Sequence, residues 1–439
     1  MALYSIDHLW RQAERMEKPE MSPSEAFYTR TTCRLCGSGN LALSVPLRPI
    51  PLLSPNIGRE TPGLKAIERK TAPSDVYMCR DCQLMQLTTV VDPSLQYDNF
   101  LYRTAISLGL AEHFGQFAKS IIGTVKSSGK PPLVLDIGSN DGSLLRFYKD
   151  LGARVLGVDP ARAIAKDATE KGIPTIGDFF TGKLAGQIVA EHGQAQIIIS
   201  NNTVANLDDL TDLVTGMRAC LAPDGVIVIE TQYALDVLEK CLLDVIYHEH
   251  LSYFSVHPMR KFFARHGLAL FKAERIWPKG GSIRFYAQHE GGPHPLDGSV
   301  AELEALEANL GMHSLRPYEA FSAQVREIAK GVKDAVTAAS THGPVAAYGT
   351  SVGCAALINQ FDIGPQLGFM VDDNPLKERL LGPNYDLEVV SHTEMTRRKP
   401  SLVITLAWRY IEPIMQRNRD YIAAGGKFLV PLPRVHQLP

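Results

Sequence analysis

Residues 133–142 read LVLDIGSNDG. The aliphatic run is typical of a buried strand that ends in Asp136, and Gly138 and Gly142 flank a tight turn before a helix that begins at Ser143. Glycine lets the backbone of such a turn approach a ligand closely. The stretch therefore predicts a strand, a turn and a helix that form the ligand-binding start of an α/β domain.

The segments that follow extend this α/β pattern. Short aliphatic runs alternate with amphipathic stretches, which predicts a Rossmann-like parallel sheet covered by helices on both faces. The predicted strands of this central unit are 133–137, 154–158, 197–200 and 226–230. A second α/β unit follows, with a long polar helix at 303–339 and strands at 345–349, 368–372, 402–406 and 427–431.

The chain length of 439 residues favours about three domains. We expect a small amino-terminal domain at 1–98, the central α/β domain at 99–275 and a carboxyl-terminal α/β domain at 276–439. The first of these is poor in periodic segments and rich in turn-forming residues, so it needs an additional source of stability.

The overall composition is that of a globular protein. Hydrophobic residues make up 45% of the chain, charged residues 21%, and the formal net charge is −2, which gives no long-range attraction to nucleic acid or anionic membranes. No basic leader precedes an apolar run, and no apolar stretch reaches the roughly 18 residues of a membrane span. We expect a cytoplasmic protein, monomeric or weakly homo-oligomeric, that acts on a small molecule without nucleic-acid or membrane partners.

Four cysteines form two C-x-x-C knuckles in the amino-terminal domain. Two knuckles can supply the four thiolates of a tetrahedral zinc site, and a closed four-sulfur shell leaves no position for substrate. The alternatives are unrelated surface knuckles or a redox pair. The sequence predicts a structural zinc site with the ligands Cys33, Cys36, Cys79 and Cys82.

Further acids near the glycine turn indicate a nucleoside cofactor. Asp159 ends the next predicted strand, where a carboxylate can accept both ribose hydroxyls. Asp178 beside Phe179 suits an adenine amino group and ring face. With the turn that contains Asn140, these residues favour S-adenosylmethionine over NAD, whose G-x-G-x-x-G pattern is absent; a purely structural turn is the alternative.

Polar residues at two other strand ends are candidates for ligand contacts. Asn201 follows the strand 197–200 and is a candidate for the cofactor, and Asn202 is one for the substrate. Tyr348 precedes a glycine turn whose amides, at a helix start, suit phosphate. In each case a structural strand end is the alternative.

Residues 246–255 read IYHEHLSYFS and are the candidate catalytic segment. Ionisable groups this dense are costly to bury unless they contact a ligand or each other. Because Ser252 occupies the second histidine position of H-E-x-x-H, a metalloprotease helix is excluded. A structural histidine pair remains the alternative to a base with its assisting groups, the candidates being Tyr247, His248, Glu249 and His250.

Over nearly its whole length the chain resembles the S-adenosylmethionine-dependent sugar C-methyltransferases of deoxysugar biosynthesis. The likeness implies a central class I methyltransferase domain, an amino-terminal zinc domain and a carboxyl-terminal domain that holds the nucleotide of the substrate. It is carried by the zinc knuckles and by residues 136–142, 247–254, 280–284 and 371–375.

The resemblance also implies residue roles. His250 would remove the proton next to the ketone of a nucleotide-linked 4-keto deoxysugar, with dTDP as the expected nucleotide. Tyr247 and Glu249 would assist around the enolate. A substrate contact is expected from Tyr97 or Tyr102, which precede the methyltransferase domain. Arg284 is a candidate for the substrate, and Arg284, Lys377 and Arg409 are possible phosphate partners, with ordinary surface charge as the alternative for each.

The chain departs from the family pattern at three places. Asn206 stands where relatives carry a histidine, residues 104–107 lack a full Ser/Thr run, and the turn 349–353 lacks a basic residue. These departures bear on the substrate more than on the chemistry. Two other functions stay open: an O- or N-methyltransferase for another small molecule, and a non-catalytic scaffold.

Overall fold

The computed structural model describes residues 26–52, 70–93, 110–125, 129–382 and 385–439. Tyr97 and Tyr102, the tyrosines expected to reach the substrate, lie outside these residues. Across the described ranges, no helix is long and apolar enough to cross a membrane.

The amino-terminal module consists of short antiparallel strands. They are β1 (Phe27–Thr29), β2 (Leu41–Val45), β3 (Ile50–Pro51), β4 (Thr71–Ala72), β5 (Val76–Cys79), β6 (Met85–Leu87) and β7 (Thr89–Val91). β5 and β6 form a hairpin against which β2 pairs, while β1 pairs with β7 and β3 with β4. Val45, Val76 and Met78 belong to the same buried cluster as residues of the central domain, so the module shares its core with that domain.

The central domain surrounds a seven-stranded sheet. The strands of this part of the chain are β8 (Leu133–Ile137), β9 (Arg154–Val158), β10 (Thr175–Ile176), β11 (Ala195–Asn201), β12 (Leu221–Gln232), β13 (Ser252–Tyr253), β14 (Leu268–Ile276) and β15 (Ser282–His289). The helices are α1 (Leu110–Ile122), α2 (Ser143–Asp150), α3 (Arg162–Glu170), α4 (Gly182–His192), α5 (Leu210–Cys220), α6 (Ala234–Glu239) and α7 (Val256–Arg265).

The order of this sheet is β10-β9-β8-β11-β12-β15-β14. The first five strands are parallel, and β15 and β14 continue the sheet antiparallel. Residues of β11 and β12 alternate between two buried clusters: Ile197 and Val228 pack with α1 and α2 on one face, and Ile198 and Ile227 pack on the other. Because alternate residues of each strand point to opposite faces, both faces of the sheet are buried. This confirms the predicted parallel sheet with helices on both faces.

The carboxyl-terminal domain holds a second, six-stranded sheet. Its strands are β16 (Val345–Tyr348), β17 (Leu367–Val371), β18 (Val389–Val390), β19 (Leu402–Thr405), β20 (Phe428–Val430) and β21 (His436–Leu438). The sheet order is β18-β17-β16-β19-β20-β21, parallel except for β21, which confirms a Rossmann-like unit. The helices are α8 (Ser299–Leu310), α9 (Arg316–Ser340), α10 (Val352–Phe361), α11 (His392–Arg398), α12 (Ile411–Arg417) and α13 (Arg419–Ala423).

Two features differ from the sequence-based expectation. The single helix predicted at 303–339 is two helices, because Gly311 at a φ of 81° takes the left-handed conformation that ends α8. In addition, β15 pairs with β12 and β14 although it lies beyond the predicted domain boundary at residue 276. A paired strand of the central sheet therefore extends into the segment assigned to the third domain.

The carboxyl-terminal domain is joined to the central domain by close contacts. Gly353, at the start of α10, lies so near the backbone carbonyl of Asp244 that any side chain there would collide with it. Arg409 donates both terminal nitrogens to the carboxylate of Asp244, with Nη2 2.9 Å from Oδ1. Both contacts lie close in sequence to the candidate catalytic segment.

Candidate active site

The four cysteines of the two knuckles come together. Their sulfur atoms all lie within 4.8 Å of one another, and the pairs Cys33–Cys82 and Cys36–Cys79 are 3.4 and 3.5 Å apart. A tetrahedral zinc ion with Zn–S bonds of about 2.3 Å holds its sulfurs about 3.8 Å apart. The cluster thus fits a closed four-thiolate zinc site, which stabilises a module with few regular elements.

The glycine turn after β8 forms a narrow cradle. Gly138 has a φ of 82°, and a side chain there would collide with Thr203. Gly142, at a φ of 72°, caps α2, and a Cβ there would lie 2.8 Å from Ile173. Only glycine combines these left-handed angles with such close neighbours. The turn therefore keeps this tight conformation only with glycine at both positions.

Two carboxylates lie beside this cradle. Asp136 is 3% exposed, and its Oδ1 has no hydrogen-bond partner in the part of the chain that the structure describes. Burial, with the nearby charge of Asp159, raises the pKa of Asp136 to about 8. Asp159 accepts the amides of Asn140 and Ala161 at 2.8 and 2.9 Å, and burial raises its pKa as well. Such a pair favours a cationic ligand rich in hydroxyl donors.

The other residues predicted for the cofactor lie along the same edge. Asn140 adopts a φ of 49° within the turn. Both side-chain amide atoms of Asn201 are buried and lack hydrogen-bond partners among the described residues. Asp178 and Phe179 are exposed, Phe179 by 42%. The orphaned amide and the exposed ring are features that a nucleoside would satisfy or cover.

His250 is held in one defined tautomer. Its Nδ1 lies 2.8 Å from the carbonyl oxygen of Val245 and must donate to it, so Nε2 carries the lone pair. The hydroxyl of Tyr247 and the amide nitrogen of Gln232 each lie 3.2 Å from Nε2. Burial, together with the charge of Lys279, lowers the pKa of His250 to about 3. The ring is thus neutral and oriented at neutral pH.

Backbone contacts connect His250 to the cofactor cradle. The amide of Leu251 donates to the carbonyl of Ala205 at 2.7 Å, and Ala205 lies in the short turn that begins just after Thr203, the neighbour of Gly138. The carboxyl end of β12 contributes Gln232. The predicted base and the predicted cofactor turn therefore share one edge of the sheet, as expected for an α/β enzyme.

Lys279 is a functional candidate that the sequence analysis missed. It has a φ of 55° in the turn before β15, and its side chain is exposed to solvent. Partial desolvation by the surrounding protein lowers the pKa of Lys279 to about 8, against the opposing effect of Glu230 and Glu249. Burial raises the pKa of Glu249 to about 7, which Lys279 partly offsets. The only sequence signal was its position next to the family-like segment 280–284.

His248 faces a different direction from His250. It is 3% exposed, and its Nε2 lies 3.4 Å from the carbonyl oxygen of Ile50 in β3. Burial lowers its pKa to about 4. Its contacts connect the segment to the amino-terminal module, so a catalytic role for His248 remains a prediction.

Arg284, expected to contact the substrate, belongs to a buried ionic network. Its Nη2 lies 2.9 Å from Glu230 and its Nη1 3.2 Å from Glu274. Glu230 also accepts from Nε2 of His113 at 2.9 Å, and its pKa is lowered by His113 and Arg284 against the cost of burial. The backbone amide of Asn202 donates to the backbone carbonyl of Glu230 at 2.7 Å. The network supports the strand ends beneath the site and was not visible in the sequence.

Polar groups at the edge of the carboxyl-terminal sheet are bonded to each other. Tyr348 donates its hydroxyl to Asp373 at 2.8 Å. Lys377 lies 3.1 Å from both Asp372 and Thr350, and Thr350 donates to Asp372. These hydrogen bonds connect the predicted substrate residue Tyr348 and the turn 349–353 to the segment 371–377.

Comparisons with known proteins agree with this architecture. Three family models match consecutive parts of the chain: "Putative zinc binding domain" over residues 33–97, "Methyltransferase domain" over 111–273 and "C-methyltransferase C-terminal domain" over 277–433. The chain is 30% identical over 409 residues to C-methyltransferase NovU of Streptomyces niveus, which covers 91% of this chain and 95% of the relative.

Solved structures overlap with about two fifths of the chain. PH0226 protein from Pyrococcus horikoshii OT3 is 15% identical and covers 43% of this chain and 94% of its own, with a TM-score of 0.34. Magnesium protoporphyrin IX methyltransferase from Synechocystis PCC 6803, solved with bound SAM, is 13% identical and covers 41% of this chain and 79% of its own, with a TM-score of 0.32.

Proposed function

The chain belongs to the C-methyltransferase family represented by NovU, and we propose that it methylates the carbon next to the ketone of a nucleotide-linked 4-keto deoxysugar, with dTDP as the expected nucleotide. The single observation that carries the proposal is the tautomer of His250, whose Nε2 accepts from Gln232 and Tyr247 and carries its lone pair at the sheet edge shared with the cofactor cradle. A carbon becomes nucleophilic only when a base removes its proton and the ketone holds the resulting charge.

The cradle suits S-adenosylmethionine. Gly138 and Gly142 allow the tight turn, Asp159 retains lone pairs for ribose hydroxyls, and Oδ1 of Asp136 is without a partner among the described residues and can accept a hydrogen bond from a cationic group. When bound, this cofactor supplies an electrophilic methyl group on a sulfonium. Positioning the substrate carbon against that methyl group is then the main task of the protein.

His250 and the residues around it would remove the substrate proton and stabilise the enolate. Nε2 takes the proton from the substrate carbon, and the bond from Nδ1 to Val245 keeps the ring oriented during the transfer. The hydroxyl of Tyr247 can donate to the developing oxyanion, and the charge of Lys279 opposes its negative charge. With His250 only 4% exposed, bulk water has little access to the enolate.

Solvent exchange tests the base separately from the methyl transfer. We expect the protein, incubated in D₂O with a dTDP-linked 4-keto-6-deoxy sugar and S-adenosylhomocysteine, to exchange the proton next to the ketone; His250→Asn should not. With ¹³C-methyl-labelled S-adenosylmethionine, NMR should then show the label on carbon. A label on oxygen or nitrogen would identify a heteroatom methyltransferase, and no cofactor binding by calorimetry would favour a scaffold.

A further inference from the structure

The zinc module and the catalytic segment form one sheet. β13 begins two residues after His250 and pairs antiparallel with β6, Ser252 opposite Gln86 and Tyr253 opposite Met85. β6 is the second strand of the hairpin whose turn carries Cys79 and Cys82, and the sheet order is β13-β6-β5-β2. A metal ion that closes this hairpin therefore also fixes the strand that follows the base.

The first knuckle reaches the same segment through Arg34, which lies between two zinc ligands. Its side chain is 0% exposed. Its Nη1 donates to the carbonyl of Leu251 at 3.2 Å and to the carbonyl of Leu87, and its Nε lies 2.9 Å from Asp208. A buried guanidinium is costly unless its charge is paired and its donors are used. Asp208 and Leu251 of the central domain pair its charge and accept from it, while Nη2 has no hydrogen-bond partner among the described residues.

Leu251, the residue after His250, is held from both sides. Its carbonyl accepts from Arg34 and from the amide of Leu87 at 2.9 Å, and its own amide donates to Ala205 at 2.7 Å. The carbonyl of Val245, which fixes the tautomer of His250, also accepts the hydroxyl of Tyr253 in β13 at 3.2 Å. The position of the imidazole thus depends on residues that the zinc module holds.

We propose that Arg34 is a positioning residue for His250, and that metal binding at the four cysteines is coupled to the base through Arg34, Leu251 and β13. The inference rests on the proposed function only in taking His250 as the base. The placement of residues 246–254 by the zinc module can be measured without substrate.

Arg34→Gln, with Arg30→Gln as its matched control, tests the coupling. Arg30 also pairs with Asp208, at 3.0 Å, but its other bonds are to Thr32 and to the Asp208 carbonyl and not to Leu251. For Arg34→Gln we expect faster amide hydrogen exchange at 246–254, a fall in kcat of about ten- to a hundred-fold, a shifted His250 ring resonance in NMR, and a cofactor affinity within about threefold of wild type. Arg30→Gln should keep the exchange pattern and change kcat by less than about threefold.

Two further measurements keep the test decisive. Zinc content is determined for each variant, and wild-type protein stripped by a chelator should show the same local exchange at 246–254 while still binding S-adenosylmethionine. Arg34→Lys should restore part of the protection, because it keeps a donor near Leu251. Unchanged exchange and His250 resonance in Arg34→Gln and in stripped protein would overturn the coupling, whether or not the protein methylates carbon.

Discussion

Two parallel sheets in this chain end in polar edges, and the two edges differ in how their polar groups are satisfied. At the central edge, Asp136 and Asn201 are buried with atoms that lack partners within the described ranges. At the carboxyl-terminal edge, the charged groups are paired: Tyr348, Asp372 and Lys377 are bonded to residues of the same edge, and the hydroxyl of Thr405 at the end of β19 is the buried strand-end atom without a partner among the described residues. Both edges follow the same Rossmann-like arrangement of parallel strands.

The difference indicates two kinds of ligand contact. Unsatisfied buried groups raise the free energy of the empty protein, and a ligand that satisfies them gains that energy on binding. Groups already paired must exchange partners, so they contribute less affinity and more selectivity. We propose that the central edge holds the cofactor tightly and that the carboxyl-terminal edge exchanges part of its network for contacts with a substrate.

The largest effect is expected at the base of the central edge. His250→Asn should lower kcat by about 10²- to 10⁴-fold, because general base catalysis contributes this much, while the dissociation constant for S-adenosylmethionine stays within about threefold. Steady-state kinetics and calorimetry measure the two quantities. His266→Asn is the control, since the His266 ring bonds the carbonyl of Phe262 and packs against the Phe262 ring, both away from the residues around His250. Near-normal turnover of His250→Asn would remove this residue as the base.

Asp136→Asn tests whether the central edge trades stability for cofactor binding: we expect the free energy of unfolding to rise and the cofactor affinity to fall. The folded pKa of Asp136, about 8, is above the ordinary value of 3.8, so stability is lost as pH rises between these values. At pH 8 the variant should gain about 1–3 kcal/mol in the free energy of unfolding.

At pH 8, where Asp136 can ionise beside a bound cation and the amide cannot, the same substitution should weaken cofactor binding about tenfold or more. Urea unfolding at pH 5 and pH 8, with calorimetric titration of the cofactor, measures both effects. A loss of stability at pH 8, or unchanged affinity, would contradict the interpretation of Asp136 as a strained ligand group.

Lys279→Met and Lys377→Met compare the two edges directly. Since Lys279 lowers the pKa values of Glu249 and His250, its removal should raise both pKa values and shift the pH–rate profile to higher pH. We also expect kcat to fall about tenfold, because the positive charge near the developing oxyanion is lost. Lys377→Met should instead raise KM for the substrate and leave the profile in place, because Lys377 pairs with Asp372. Identical profiles for Lys279→Met and wild type would exclude the electrostatic role of Lys279.

The smallest effect is expected for Tyr348→Phe. The substitution removes the hydrogen bond to Asp373 and should cost about 0.5–1.5 kcal/mol in the free energy of unfolding. KM for the nucleotide sugar should change more than kcat, since the residue lies outside the reacting centre. A change in kcat at saturating substrate, with KM unchanged, would contradict a role in substrate binding.

Individual strands and helices show which parts of the fold could be predicted from the sequence. The predicted strands 133–137 and 154–158 match β8 and β9 residue for residue, because buried strands carry a strong local signal. The predicted helix 303–339 was wrong in treating two helices as one, since Gly311 interrupts a pattern whose periodicity continues on both sides. The extension of the central sheet into β15 was missed because antiparallel pairing leaves no mark on local sequence.

The sequence by itself determined the α/β class and the cysteine cluster, and it predicted the cofactor turn and the catalytic segment around His250, because each depends on residue types at short, fixed spacings. Only the tertiary structure decided that Lys279 faces Glu249, that Glu230 joins His113 to Arg284, and that Arg34 holds Leu251. The physical reason is distance along the chain: Arg34 and Leu251 are 217 residues apart. Contacts between such residues are fixed by packing and burial of charge, which short spacings in the sequence do not record.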